Sequence, residues 1–118
     1  MSQQELFGKL TKQSSLTDIQ DYIKKVINLR GFGEQAPQAS MLLLLEETGE
    51  LAKVIRKTSS GMSVDETMLH RYDTIESELA DVFIVLMSIC NTFGINLYDA
   101  FMEKEKINSS RNWTVNKK

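Results

Sequence analysis

LLLLEETGELAKVIRK, residues 42–57, reads as a helix with an anomaly at its centre. Leucine, glutamate, alanine and lysine are good helix formers, and no proline interrupts them. Residues three and four apart on a helix are neighbours. Leu44, Glu47, Leu51 and Val54 therefore form one stripe, and Leu43, Glu47, Glu50 and Val54 form the adjoining one. The glutamates Glu46, Glu47 and Glu50 interrupt an apolar face instead of lying opposite it.

A later helix repeats the pattern. LADVFIVLM, residues 79–87, is apolar except for Asp81, and Glu78 falls between Ile75 and Val82 on a core stripe. Burying an unpaired carboxylate costs several kcal/mol, and converging carboxylates also repel one another. A Glu-x-x-Glu pair in isolation is an ordinary solvated face. Two acidic pairs in apolar surroundings on two long helices are not, because a solvated face cannot also be the core face. Either the carboxylates bind protons at raised pKa or they hold cations. All-oxygen ligands favour Mg²⁺ or Mn²⁺ over zinc or copper. A di-iron bundle would add a Glu-x-x-His pair on each of two helices, and the only histidine, His70, falls in a loop.

The chain has 118 residues, enough for one domain. Periodicity predicts four helices, at about 16–30, 38–57, 74–93 and 96–108, and no strands, so the fold class is all-α, a four-helix bundle. Thr17 with Gln20 can form a capping box for the first helix, and Gly31-Phe32-Gly33 stops it. A polar loop spans 58–73, with a short helical turn near 66–70. Gly94 ends the third helix, and Asn96 with Asp99 suits the start of the fourth. The expected organisation is an N-terminal arm at 1–15, a domain at 16–113 and a tail at 114–118. The arm is either flexible or packs on a partner chain through Leu6, Phe7 and Leu10.

Composition narrows the function. A net charge of −2 without blocks of like charge argues against a nucleic-acid surface. Cys90 is the lone cysteine, so an intrachain disulfide and a thiolate metal site are both excluded; its apolar setting suits a buried core residue. No apolar run reaches the ~18 residues that span a membrane, and the polar N-terminus lacks a signal peptide's apolar stretch. A cytoplasmic protein without a membrane partner is expected.

Glu46-Glu47-x-x-Glu50, followed after 27 residues by Glu78-x-x-Asp81, resembles the motif of the MazG-like all-α nucleotide pyrophosphohydrolases. EETGELAK is especially similar to the MazG form, and Lys104-x-x-x-Asn108-x-x-Arg111-x-Trp113 resembles the family's phosphate-contacting segment. The resemblance covers nearly the whole chain. It implies a four-helix bundle completed by oligomerisation as a homodimer or homotetramer. It also implies that Glu47, Glu50, Glu78 and Asp81 coordinate Mg²⁺, with Mn²⁺ as a substitute, and that Glu46 orients the water or a ligand. The implied reaction is hydrolysis of a nucleoside triphosphate to monophosphate and pyrophosphate, with removal of non-standard or surplus nucleotides as the cellular role. Glu46 or Glu47 would take the proton of the attacking water.

Lys104, Asn108 and Arg111 share a helical face with Phe101, so they suit either phosphate binding or the stabilised cationic end of a helix. Phe32 and Pro37 lie where relatives contact the base, and Phe32 suits either base stacking or packing. Lys53 and Lys57 read as solvated partners of the acidic residues. Two rival readings are a phosphoribosyl-ATP pyrophosphohydrolase-like enzyme and a bundle that binds nucleotide or metal without turnover; a purely structural bundle is a third. Nothing in the sequence selects a base.

Overall fold

The computed structural model describes residues 1–59, 61–67 and 73–116. These hold five helices: α1 (Gln3–Gly8), α2 (Leu16–Leu29), α3 (Pro37–Thr58), α4 (Ile75–Thr92) and α5 (Leu97–Ser109). No strand occurs among the described residues, so the class is all-α, as expected. Glu66 and Thr67 enter a 3₁₀ turn, but residues 68–72, including His70, lie outside the described residues, as do 117 and 118 of the tail.

Local chemistry sets most of the helix ends. Ser15 and Asp18 form the capping box of α2 through reciprocal bonds of 3.0 Å. The box expected at Thr17 and Gln20 does not form, because both side chains are claimed by distant partners. The Thr17 hydroxyl accepts from Asn96 Nδ2 at 3.1 Å, and Gln20 is buried. Gly31 (φ 88°) and Gly94 (φ 64°) take left-handed backbone just past α2 and α4, where a side chain would be strained. Pro37 opens α3, where its missing N–H removes no helical bond. Thr74 caps α4 and Asn96 caps α5.

Residues 3–8, within the N-terminal arm, form a helix. Ser2 and Glu5 make a capping box, and Phe7 meets Tyr22 of the same chain edge-to-face with ring centroids 6.3 Å apart. Arg30 Nε donates to Gln3 Oε1 at 2.7 Å. The first turns of the chain are thus tied to α2.

The core lies among α2, α3 and α4, with Ile23, Val26, Val54, Met87 and Cys90 buried. Fully burying a side chain such as Met87 stabilises by about 1.5–3 kcal/mol. α3 packs mainly on α4, and α2 on α4. Glu47 approaches Asp81, while Leu43 and Val85 line one cavity, so α3 and α4 run antiparallel.

α5 turns 96° from α4 and packs at its start on α2. Gln20 fastens this corner. Its Nε2 donates to Asn91 Oδ1 at 3.0 Å and to the Ile95 carbonyl at 2.6 Å, and its Oε1 accepts from the Leu97 N–H at 2.9 Å. Asn91 Nδ2 returns a bond to the Gln20 carbonyl at 3.2 Å.

The chain is open for its size. Its radius of gyration is 17.9 Å, against about 13–14 Å for a compact domain of this length. Leu42 and Leu45 on α3 are 67% and 59% exposed. No single described helix is long and apolar enough to cross a membrane.

Candidate metal and nucleotide site

The anomaly in residues 42–57 resolves in the groove between α3 and α4. Glu47 from α3, and Glu78 and Asp81 from α4, each bring one carboxylate oxygen within 4.8 Å of the others. Glu78 and Asp81 are i, i+3 neighbours, so one turn of α4 aims both at Glu47. Glu78 is 5% exposed, while Glu47 and Asp81 are half-buried.

The electrostatics are those of crowded negative charge. Burial pushes the Glu47 pKa up first, and Asp81, Glu46 and Glu50 add to it by repulsion. Burial also raises Glu78, followed by the charge of Asp73, a hydrogen bond with Asp73, and the charges of Asp81 and Glu47. Glu78 Oε2 is buried and accepts no hydrogen bond. A buried oxygen in that state is costly unless something else meets it. Three converging carboxylates, one of them carrying an unpartnered buried oxygen, fit a hard divalent cation. Glu47, Glu78 and Asp81 are the residues placed to hold one.

Other anticipated residues are placed differently. Glu50 lies one turn beyond Glu47, near enough to raise its pKa, but its carboxylate pairs with Lys53 at 3.5 Å and stands outside the converging group. Glu46 is exposed and touches the cluster only through its charge on Glu47. Lys104, Asn108 and Arg111 gather at the far end of α5, which packs chiefly on α2 and not on the acidic groove. There Arg111 Nη1 donates to Asn108 Oδ1 at 3.4 Å and Asn108 Nδ2 to Glu105 Oε1 at 3.0 Å. Trp113 Nε1 closes the end by donating to the Asn108 carbonyl at 2.8 Å. Lys104 makes no such bond among the described residues.

Phe32 is 53% exposed and lines a cavity of about 230 Å³ between α2, α3 and α4. Leu43, Ile84 and Val85 supply apolar wall. Ser40 lies in its floor, buried and accepting from Gln35 Nε2 at 3.5 Å. The Asn28 side chain occupies the space a Cβ on Gly33 would need, so the loop wall closes because residue 33 is glycine. Leu43 precedes Glu47 by four residues and Val85 follows Asp81 by four. The cavity therefore begins about 6 Å along the groove from the carboxylates, one helical turn away.

Sequence reasoning did not find Asp73, Lys24, Asn28, Gln35 or Ser40. Asp73 sits just before the Thr74 cap, with no periodic signal to mark it. The cavity residues come from three separate elements and share no local pattern.

The profile of the MazG nucleotide pyrophosphohydrolase domain matches residues 35–113, from the turn before α3 to Trp113 beyond α5. YpjD of Bacillus subtilis (strain 168), an uncharacterised protein, is 30% identical over 108 residues, covering 85% of this chain and 91% of its own. The crystal structure of YpjD, a candidate pyrophosphatase, superposes with a TM-score of 0.69 at 26% identity, over 86% of this chain and all of that one (100%). The crystal structure of iMazG from Vibrio DAT 722 does so at 0.57 and 29% identity, over 81% and 99%. With its acidic groove, its all-helical fold and this sequence match, the chain belongs to the MazG nucleotide pyrophosphohydrolase family.

Proposed function

We propose that this protein hydrolyses nucleoside triphosphates to monophosphates and pyrophosphate with Mg²⁺, or Mn²⁺ in its place. The observation that carries the reading is the convergence of the Glu47, Glu78 and Asp81 carboxylates, one of which, Glu78, holds a buried, unpartnered oxygen. Glu50 joins these ligands by exchanging Lys53 for the cation. The metal would neutralise phosphate charge and acidify the attacking water. The remaining work belongs to the chain. Glu47, its pKa raised by burial and by the neighbouring carboxylates, takes the water's proton, and Glu46 orients that water. Lys104, Asn108 and Arg111 bind the phosphates as charge-assisted donors. Phe32 stacks on the base in the neighbouring cavity.

Family membership supports the reaction class. The exposed Leu42 and Leu45 and the open shape support a second copy of the chain covering α3, in a homodimer or homotetramer. That copy would bring α5 of one chain towards the groove of the other. The cellular role proposed is cytoplasmic clearance of non-standard or surplus nucleotides.

The test is pyrophosphate release over a panel of triphosphates and phosphoribosyl-ATP, with Mg²⁺ and with chelator. Metal-dependent release from a triphosphate, lost in Glu78→Gln, is expected. Turnover of phosphoribosyl-ATP alone would replace the substrate assignment. Absence of turnover, with nucleotide binding intact, would leave a binding protein.

A further inference from the structure

The cavity beside the carboxylates carries a charge that the hydrolytic reading does not use. We propose that Lys24 reads the base edge and makes this site selective for bases presenting a carbonyl oxygen, such as uracil and hypoxanthine, over their amino counterparts. The inference rests on the reading that the cavity holds the base of a nucleotide.

Lys24 lies on α2 and is the one charged side chain among the described residues lining the cavity. Its neighbours do not claim it. Asp21, one turn earlier, pairs instead with Lys25 at 2.9 Å. Among the described residues no hydrogen bond or ion pair engages the Lys24 ammonium, and no carboxylate lines the cavity to balance it.

The other polar groups are committed or ambivalent. Ser88 Oγ donates to the Ile84 carbonyl at 3.0 Å, and Thr92 Oγ1 to the Ser88 carbonyl at 3.0 Å. The Asn91 amide is occupied by Gln20. Asn28 and Gln35 are amides, with both a donor and an acceptor, so they can match either kind of base edge. Lys24 cannot. An ammonium has three donors and no acceptor. Facing a ring carbonyl it makes a charge-assisted bond; facing an exocyclic amino group it leaves both donors unmatched. Sites that hydrogen-bond one substrate group discriminate against an analogue that cannot answer, and because Lys24 is exposed, with water able to meet its ammonium, the factor is about tenfold and not the far larger one of a buried group. Uracil differs from cytosine, and hypoxanthine from adenine, by this exchange of oxygen for an amino group together with loss of the proton on the adjacent ring nitrogen.

The experiment measures kcat/KM for dUTP, dCTP, dITP and dATP with the full chain and with Lys24→Met. It also measures calorimetric binding of dUMP and dCMP. The wild type should favour dUTP over dCTP and dITP over dATP, each by roughly tenfold or more. Lys24→Met should collapse both ratios towards one by slowing the carbonyl-bearing substrates, and Lys24→Arg should keep part of the preference. Equal kcat/KM within each wild-type pair, or an equal loss for all four substrates in Lys24→Met, overturns the proposal. Equal affinity for dUMP and dCMP also overturns it. Absence of turnover combined with tighter dUMP binding would retire the hydrolytic reading and leave this one standing.

Discussion

Replacing Gln20 tests how α5 is held. Its side chain makes three hydrogen bonds, to Asn91 Oδ1, the Ile95 carbonyl and the Leu97 N–H, all across the corner between α4 and α5. Each neutral bond contributes about 1 kcal/mol net, and a stranded buried partner costs about 1–3 kcal/mol. Ile95 is 47% exposed, so water can replace part of what is lost near it. Gln20→Ala should therefore cost about 2–4 kcal/mol, which for a chain of this length is roughly 8–16 °C in Tm. Gln20→Met separates volume from hydrogen bonding, since it fills the space without polar atoms. It should lose nearly as much as alanine. Gln20→Glu should be at least as harmful at neutral pH, because a carboxylate oxygen would face Asn91 Oδ1 and the Ile95 carbonyl. Urea denaturation followed by circular dichroism reads the global cost, and amide exchange at Leu97 reads the local one. A methionine variant of wild-type stability would refute the claim that these bonds fasten the corner.

The acidic groove gives a signed pH prediction. Glu47 and Glu78 have folded pKa values above the ordinary 4.5, so the folded chain binds their protons more tightly. That contribution to stability is complete below the ordinary value and is lost as pH rises through the raised ones. Melting in chelator should fall over this range, with a shallower fall in Glu78→Gln. Mg²⁺ should raise Tm at neutral pH, because a ligand held only by the folded state stabilises it, and Asp81→Asn should abolish the gain. If Glu50→Gln keeps the full gain, Glu50 is not a ligand. Glu46→Gln should lower kcat more than Mg²⁺ affinity, and an affinity loss equal to that of Glu47→Gln would make Glu46 a ligand. Lys104→Ala and Arg111→Ala should each lower kcat/KM by about ten- to a hundredfold, equally for two different bases; a base-dependent loss would move them to the cavity.

Much of the architecture was legible because helical periodicity reports burial. The four long helices stand within a few residues of where apolar spacing puts them. The conflict between carboxylates and an apolar face singled out five acids; Glu47, Glu78 and Asp81 converge, while Glu46 is exposed and Glu50 pairs with Lys53, because spacing alone does not say which acid turns into the groove. α1 escaped because six residues are too few for a periodic signal, although Ser2 and Glu5 have capping-box spacing. The start of α2 was ambiguous for a different reason. Ser15 with Asp18 and Thr17 with Gln20 both have box-like spacing, and the demand of the α4–α5 corner for Gln20 decides between them. Of the cavity only Phe32 was named, through the resemblance; Lys24, Ser40 and Val85 were illegible because they meet it only through packing.

The antiparallel seam of α3 and α4 has a consequence for how this protein can change. Its acidic turn and its cavity turn are successive lengths of the same two rods, with Glu47 and Asp81 in one and Leu43 and Val85 in the other. Substitutions in the cavity turn leave the acidic turn intact, so recognition can drift without retuning the carboxylates. Insertions enjoy no such freedom. One added residue between Leu43 and Glu47 shifts the two turns by about 1.5 Å and rotates them by about 100°. The seam acts as a ruler with a phase: tolerant of new lettering, intolerant of a changed length.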